Sequence, residues 1–209
     1  MQEAGGRSAG GGRQENLRPA PCSLHPLRSE NPMPAHREWF NRRFELGLPP
    51  EAMAEIIERL RGTPARLEER LQEPSPQVLI ERFEGKWSMQ ENAGHLLDLE
   101  PLWEGRLEDL LAGAPELRAT DLRNRKTDEA NHNSRPYEEI LTAFRKVRKQ
   151  IVLHLEELDD SQLAATALHP RLRQPMTAAD LFFFVAEHDD HHLARITRIL
   201  KLAPNRTGT

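Results

Sequence analysis

Apolar positions recur at helical spacing along most of the chain, and prolines and capping residues cut that pattern into segments. Trp39, Phe40 and Phe44 give residues 35–45 the look of a short amphipathic lead-in helix, ended by Pro49 and Pro50. Met53, Ile56, Ile57 and Leu60 predict a helix over 51–61. Thr63-Pro64 fits a cap followed by a first-turn proline, so 64–72 is either a new helix or a kinked continuation, closed by Pro74 and Pro76. Ser88-Met-Gln-Glu91 is a capping box, and the long helix behind it runs to about Ala112 with an expected kink at Pro101. Residues 113–134 have no apolar periodicity and read as a long connector, a feature usually tied to function or to a lid. Pro136 opens a helix over 136–158 with Ile140, Leu141, Phe144, Val147, Ile151 and Leu155 on one face. After a second irregular stretch, 159–176, Thr177-Ala-Ala-Asp180 caps a last helix that runs to about Leu202. No strand and no internal repeat stands out, so the predicted fold class is all-α, a four-helix bundle.

Residues 1–33 break this pattern. They hold five of the 12 glycines and four of the 16 prolines, with too few large apolar residues to offset the entropy of ordering. A disordered tail over 1–33 and a single folded domain over 34–209 are expected. The tail lacks the apolar stretch of a secretory signal, and Met33 is an alternative start. Across the chain 29 Lys+Arg face 33 Asp+Glu, and the pI of about 6.2 lacks the basic excess of a nucleic-acid binder, so no nucleic-acid partner is expected. Arg145, Lys146, Arg148 and Lys149 cluster on one helix but read as a solvated face balanced by Glu156 and Glu157. The longest apolar run is six residues, Leu181 to Ala186, so no membrane helix is expected. Cys22 is the single cysteine and lies in the tail; an internal disulfide is excluded, and a reducing cytoplasm is the expected home.

Histidine placement carries the chemistry. The inward stripe of the last helix is Leu181, Val185, His188, His192, Ile196 and Ile199, stepping by 4, 3, 4, 4 and 3. Imidazoles at i and i+4 project together, with Cβ atoms about 6 Å apart, a spacing at which two can share one metal ion. His95 aligns with Leu99 and Leu102 and also faces inward. Facing helices of a bundle can assemble such a site, and three neutral imidazoles leave one or more coordination positions open. The competing view is three core histidines bonded to backbone, but each brings two buried nitrogens that need partners. Glu91 is a candidate fourth ligand or base, although its place in the capping box already gives it a structural task. Asp189 and His191 could support the ligands; His188-Asp-Asp-His-His192 also parallels the H-E-x-x-H protease pattern, with Asp189 where the general base stands. Asn124, Thr127, Asn131, His132, His169 and Arg171, from the two irregular stretches, are the pocket candidates, with Arg171 suited to clamp a carboxylate.

Lys86-Trp87-Ser88, Glu91, His95-Leu96 and Asp98, followed by Glu187-His188-Asp-Asp-His191-His192-Leu193-Ala-Arg-Ile196, resemble the DinB-like superfamily over about residues 51–202. The resemblance implies an up-down-down-up four-helix bundle, often a homodimer, with one divalent metal ion, zinc or nickel, on His95, His188 and His192. Its better understood members use low-molecular-weight thiols such as mycothiol, bacillithiol or glutathione, and others are considered metal-dependent hydrolases. A small-molecule substrate is therefore expected, with hydrolysis or thiol transfer as the chemistry. Residues 34–209 contain no cysteine, so any thiol comes from an external cosubstrate. The alternative is a non-catalytic, stress-related binding or scaffold protein whose metal is structural, which a fourth protein ligand would favour.

Overall fold

The computed structural model describes residues 37–203. In chain order its helices are α1 (Met53–Gln72), α2 (Pro76–Ile80), α3 (Met89–Leu111), α4 (Arg125–Glu129), α5 (Tyr137–Glu156), α6 (Asp160–Leu163) and α7 (Ala178–Leu202). Ala167–Leu168 (β1) and Pro175–Met176 (β2) pair antiparallel between α6 and α7. The expected disordered tail, with Cys22 and His25, and His36 as well, lie outside the described residues.

α1, α3, α5 and α7 are the four helices of the bundle. α1 packs on α5 and α7, α3 packs on the same two, and α1 and α3 sit diagonally. Their interiors form two apolar clusters. One joins the first half of α1 (Met53, Leu60) and of α7 (Leu181, Phe182) to the second half of α3 (Trp103, Leu107) and of α5 (Ile151, Leu155). The other joins the opposite halves, with Leu67 and Leu71, Met89 and Leu96, Ile140 and Phe144, and Ile196 and Ile199. That pairing makes α1 and α7 run one way and α3 and α5 the other, an up-down-down-up bundle. A polar layer divides the clusters at mid-height.

Local chemistry explains the element boundaries. Full capping boxes start α3 at Ser88 and α7 at Thr177, as the sequence predicts. Pro64 lies inside a continuous α1. Proline has no N–H for the Leu60 carbonyl, and that oxygen instead accepts from Arg148 Nη1 at 3.5 Å. The lead-in contracts to one 3₁₀ turn, Trp39–Asn41, followed by extended chain. Tertiary bonds outweigh its helical pattern: Asp180 Oδ1 accepts from the Gly47 and Leu48 N–H groups at 2.8 and 3.0 Å, and Arg42 pairs with Glu187.

The connector 113–134 is not a free lid. It contains α4 and a 3₁₀ turn, His132–Ser134, and packs on α3 through buried Leu117, Thr127 and His132. The strands escape the sequence pattern because two residues are too few for alternation to register. Their hairpin projects His169 and Arg171 toward the bundle end.

Candidate metal centre

α3 carries His95 and its neighbour α7 carries His188 and His192, and the three buried imidazoles converge. One ring nitrogen from each lies within 4.8 Å of the others. His188 Nε2 and His192 Nε2 are 3.2 Å apart. Two nitrogens about 2.05 Å from a tetrahedral ion would be about 3.3 Å apart, so this pair fits the edge of such a site.

Hydrogen bonds fix which nitrogens hold lone pairs. Asn92 Nδ2 donates to the Trp87 and Ser88 carbonyls at 3.2 and 2.7 Å, which turns Oδ1 toward His192 Nδ1 at 2.8 Å. His192 Nδ1 therefore carries the proton and Nε2 the lone pair. Thr127 Oγ1 donates to Asp98 Oδ2 at 2.9 Å and so accepts from His95 Nδ1 at 3.0 Å, leaving His95 Nε2 as a lone-pair donor. Asp98 also accepts from His132 Nε2 at 2.9 Å. Burial holds its carboxyl short of a free one's solvation, yet His132 and Thr127 keep it below the usual carboxylate range. His188 Nδ1 is buried with no protein partner.

Burial keeps all three rings neutral. It pushes His95 down to about 4, against a partial opposing pull from Asp98. His188 and His192 fall well below the ordinary range through burial first and the neighbouring imidazoles second. Neutral rings with defined lone pairs are what a borderline cation such as zinc or nickel requires. Trp39 meets the His188 ring edge-on at 5.0 Å and Trp87 lies 4.7 Å from His95. No carboxylate, cysteine or fourth histidine joins the cluster among the described residues.

Several candidates are placed elsewhere. Asp189, buried one residue from His188, turns to the opposite side and pairs with Arg148, so it cannot be a base at the cluster. Arg148 is not a solvated cation: it is 1% exposed and also binds Glu100 at 2.5 Å. Glu91 is taken by its cap and by Arg82; burial opposes its charge, but Arg82 and the Ser88 N–H hold its carboxyl below the usual range. Asn131 is exposed, in a left-handed conformation at a turn. His132 stands behind Asp98 and is no ligand. Its ring lies over Gly94, where a Cβ would collide with it.

His169, Arg171, Asn124 and His191 do reach the site. They line a cavity of about 350 Å³ that opens onto His95, His188 and His192. The sequence reading missed Asn92, Arg106, Arg195 and the wall formed by Trp39, Trp103 and Phe184. A signal existed for some. Asn92 precedes His95 by three residues, Arg106 extends the stripe His95, Leu99, Leu102 by four, and Arg195 follows His192 by three.

A family model described as the DinB superfamily matches residues 29–196. The chain belongs to the DinB superfamily. Solved structures share the fold. YfiT from Bacillus subtilis, described as a probable metal-dependent hydrolase with an unusual four-helix bundle topology, aligns with a TM-score of 0.68 at 20% identity, covering 77% of this chain and 93% of that one. A mycothiol-dependent maleylpyruvate isomerase aligns at 0.55 and 12% identity, over 70% of this chain and 60% of that one. The colibactin self-resistance protein ClbS, in complex with double-stranded DNA, aligns at 0.56 and 16% identity, over 73% and 97%. At these identities the likeness is one of fold. No curated protein matches significantly in sequence. The expectation of no nucleic-acid partner gains no support, since a protein that shares this fold is seen on DNA. Among the described residues no helix is long and apolar enough to cross a membrane.

Proposed function

We propose that this DinB-superfamily protein is a metal-dependent enzyme acting on a small molecule, with His95, His188 and His192 as the ligands of one zinc or nickel ion. The observation that carries this is the donor set: three neutral imidazoles, two with protons fixed on the far nitrogen, facing a cavity without a fourth protein ligand. A structural ion would favour a closed, four-ligand cage, so this argues against a scaffold role. A divalent ion bound there supplies Lewis acidity and lowers the pKa of a water or thiol that reaches it.

The chain's own residues favour thiol transfer over hydrolysis. Each carboxylate near the cluster is engaged: Glu91 by Arg82, Asp98 by Thr127 and His132, and Asp189 by Arg148. Among the described residues no carboxylate is placed to act as a hydrolytic base, whereas an external thiol needs only a metal position and an electrophile held beside it. Thr127 and Asn92 orient two ligands, and the Trp39, Trp103 and Phe184 wall excludes water and holds an apolar substrate. The metal-binding domain is assigned to 34–209, with a reducing cytoplasm and a homodimer as its expected setting.

The test is metal analysis of the untagged full chain beside the His188→Ala variant, followed by thiol-conjugation assays of a chloronitrobenzene with glutathione or bacillithiol. The wild type should hold about one equivalent of zinc or nickel, lost in the variant while helical circular dichroism persists. Turnover should need both metal and thiol. Absence of metal uptake overturns the proposal, and turnover of ester or amide substrates without thiol returns it to hydrolysis.

A further inference from the structure

The cavity above the three histidines holds a surplus of hydrogen-bond donors and positive charge. Arg106 is 1% exposed, with no carboxylate partner among the described residues. Its Nε donates to the Arg118 carbonyl at 3.1 Å, and its Nη1 lies 3.1 Å from His169 Nε2. His169 Nδ1 faces the Arg171 and Leu172 N–H groups, both at 3.2 Å. Both ring nitrogens thus face donors, so whichever carries the proton, one donor meets another. Arg171 stacks on Phe40 and Phe184 at 5.4 and 5.8 Å, and its buried Nη2 has no partner. Arg195 lines the same cavity without an ion pair among the described residues.

The surrounding arginines behave differently. Arg42, Arg59, Arg66, Arg82, Arg118 and Arg148 each sit on a carboxylate. Among the described residues the single carboxylate lining the cavity, Asp121, is taken by Arg125 and by backbone N–H groups at its exposed rim. Burial weakens the charged form of Arg106, with Arg171 adding to the effect, and of Arg195, so an incoming anion would relieve an existing cost. Most of the remaining wall is apolar and aromatic, with Trp39, Trp87, Trp103, Leu99 and Leu102, beside the polar Thr120, Asn124 and His191.

We infer that Arg106 and Arg171, assisted by His169 and Arg195, form an anion subsite, and that the cavity takes a compact amphipathic acid: an apolar or aromatic body with one carboxylate or phosphate. The inference deepens the small-molecule reading above and rests on it for the location of the reacting group. Guanidinium forks match such oxyanions with two parallel hydrogen bonds. A volume of about 350 Å³ fits a small molecule and not a duplex, whose phosphates are read along a surface. The acid group belongs either to the electrophilic substrate or to a thiol cosubstrate such as glutathione.

The test uses the full chain, zinc-loaded and chelator-treated in parallel, titrated with phenylacetate, phenyl phosphate and the neutral isostere phenylacetamide. Calorimetry and tryptophan fluorescence report binding, since Trp39, Trp87 and Trp103 all line the cavity. At least one acid should bind about 10-fold more tightly than the amide, and Arg171→Gln should remove most of that preference with zinc stoichiometry unchanged. Loss of glutathione binding in Arg171→Gln assigns the subsite to the thiol; glutathione binding alongside saturating phenylacetate assigns it to the substrate. Equal affinities for acids and amide, no acid binding, or a preference untouched by Arg171→Gln would overturn the inference. So would a short DNA duplex that quenches the same tryptophans while neither acid does. Failure of the metal reading looks different: no zinc uptake with the acid preference intact.

Discussion

His188 and Asp189 are consecutive in α7, yet they enter two different polar regions at the same height of the bundle. Asp189 joins a closed network. Arg148 from α5 donates to it and to Glu100 of α3, and Thr63 Oγ1 of α1 donates to it at 2.9 Å. All four residues are at most 1% exposed, and one cation serves two carboxylates, of which Glu100 is pushed up toward its protonated form by burial and by the neighbouring Asp189. Burial works against the Arg148 guanidinium, but Asp189 and Glu100 more than offset it and strengthen its hold on the proton. His188 belongs to the opposite kind of region. Its Nδ1 is orphaned, its partners are other imidazoles, and the cavity beside it holds unpaired arginines. Burial of polar groups is common to both regions, so burial does not mark function. What separates them is unsatisfied valence: one region is complete without a ligand and the other is not.

Truncating either neighbour should separate the two roles most sharply. Asp189→Ala leaves Arg148 with Glu100 as its counter-charge but takes away the acceptor that buried Thr63 and Arg148 donate to, and should destabilise metal-free protein by about 3 kcal/mol. His188→Ala removes a ring that lacks a partner for one nitrogen, and should cost only about 1 kcal/mol while abolishing metal uptake. Urea denaturation of both variants decides between them. Should His188→Ala prove the more destabilising, the histidine cluster would be a structural core and the contrast would fail.

Acid titration should give the next largest effect, carried by the open region, while Glu100 of the closed network, pushed up by burial, works in the opposite direction. The His95 imidazole sits at about 4 in the fold against an ordinary value of 6.5. The unfolded chain therefore takes up the proton first, and stability is lost as pH falls from 6.5 toward about 4. At about 1.4 kcal/mol per pH unit, His95 alone removes about 3 kcal/mol across that window. His188 and His192 act in the same direction. The urea midpoint of metal-free protein should fall steeply there, and bound zinc should delay the fall. A flat profile would mean that the cluster accepts protons without penalty and resembles the closed network more than its geometry implies.

Much of this division could be read along the chain. Capping boxes at Ser88 and Thr177 and the apolar stripes of α1, α3, α5 and α7 come from local chemistry, which periodicity reports directly. The convergence of His95 with His188 and His192 follows once α3 and α7 are placed side by side. Arg148 and Asp189 were legible only as charges, because neither residue's own helix reveals that their partner lies across the bundle. The lead-in and the segment around His132 owe their form to tertiary bonds, from Asp180 to Gly47 and from Asp98 to His132, which no window of the sequence contains. Arg106 and Arg195 continue visible stripes, but lone cations on a helix are so often solvated that spacing without a map of their partners does not distinguish them.

Gly94 gives the smallest test, and one where two physical effects have opposite sign. Alanine is the better helix former by about 1 kcal/mol, so in an isolated α3 Gly94→Ala would stabilise. In the protein the added Cβ would strike the His132 ring. That ring donates to Asp98, Asp98 accepts from Thr127, and Thr127 accepts from His95 Nδ1. Displacing His132 therefore disturbs the tautomer and aim of His95, the proposed metal ligand three hydrogen bonds away. Overpacking of this kind costs about 1–3 kcal/mol, enough to outweigh the helical gain. Net stability should fall by about 1 kcal/mol, and zinc affinity by about 10-fold, the effect typical of groups that orient ligands. Thr127→Val, which keeps the shape and removes the hydroxyl, should lower zinc affinity similarly with less effect on folding. If Gly94→Ala stabilised the protein and left zinc affinity unchanged, the open region would reduce to its three imidazoles, and the Asp98 chain behind His95 would belong with Arg148 among the groups that serve the fold alone.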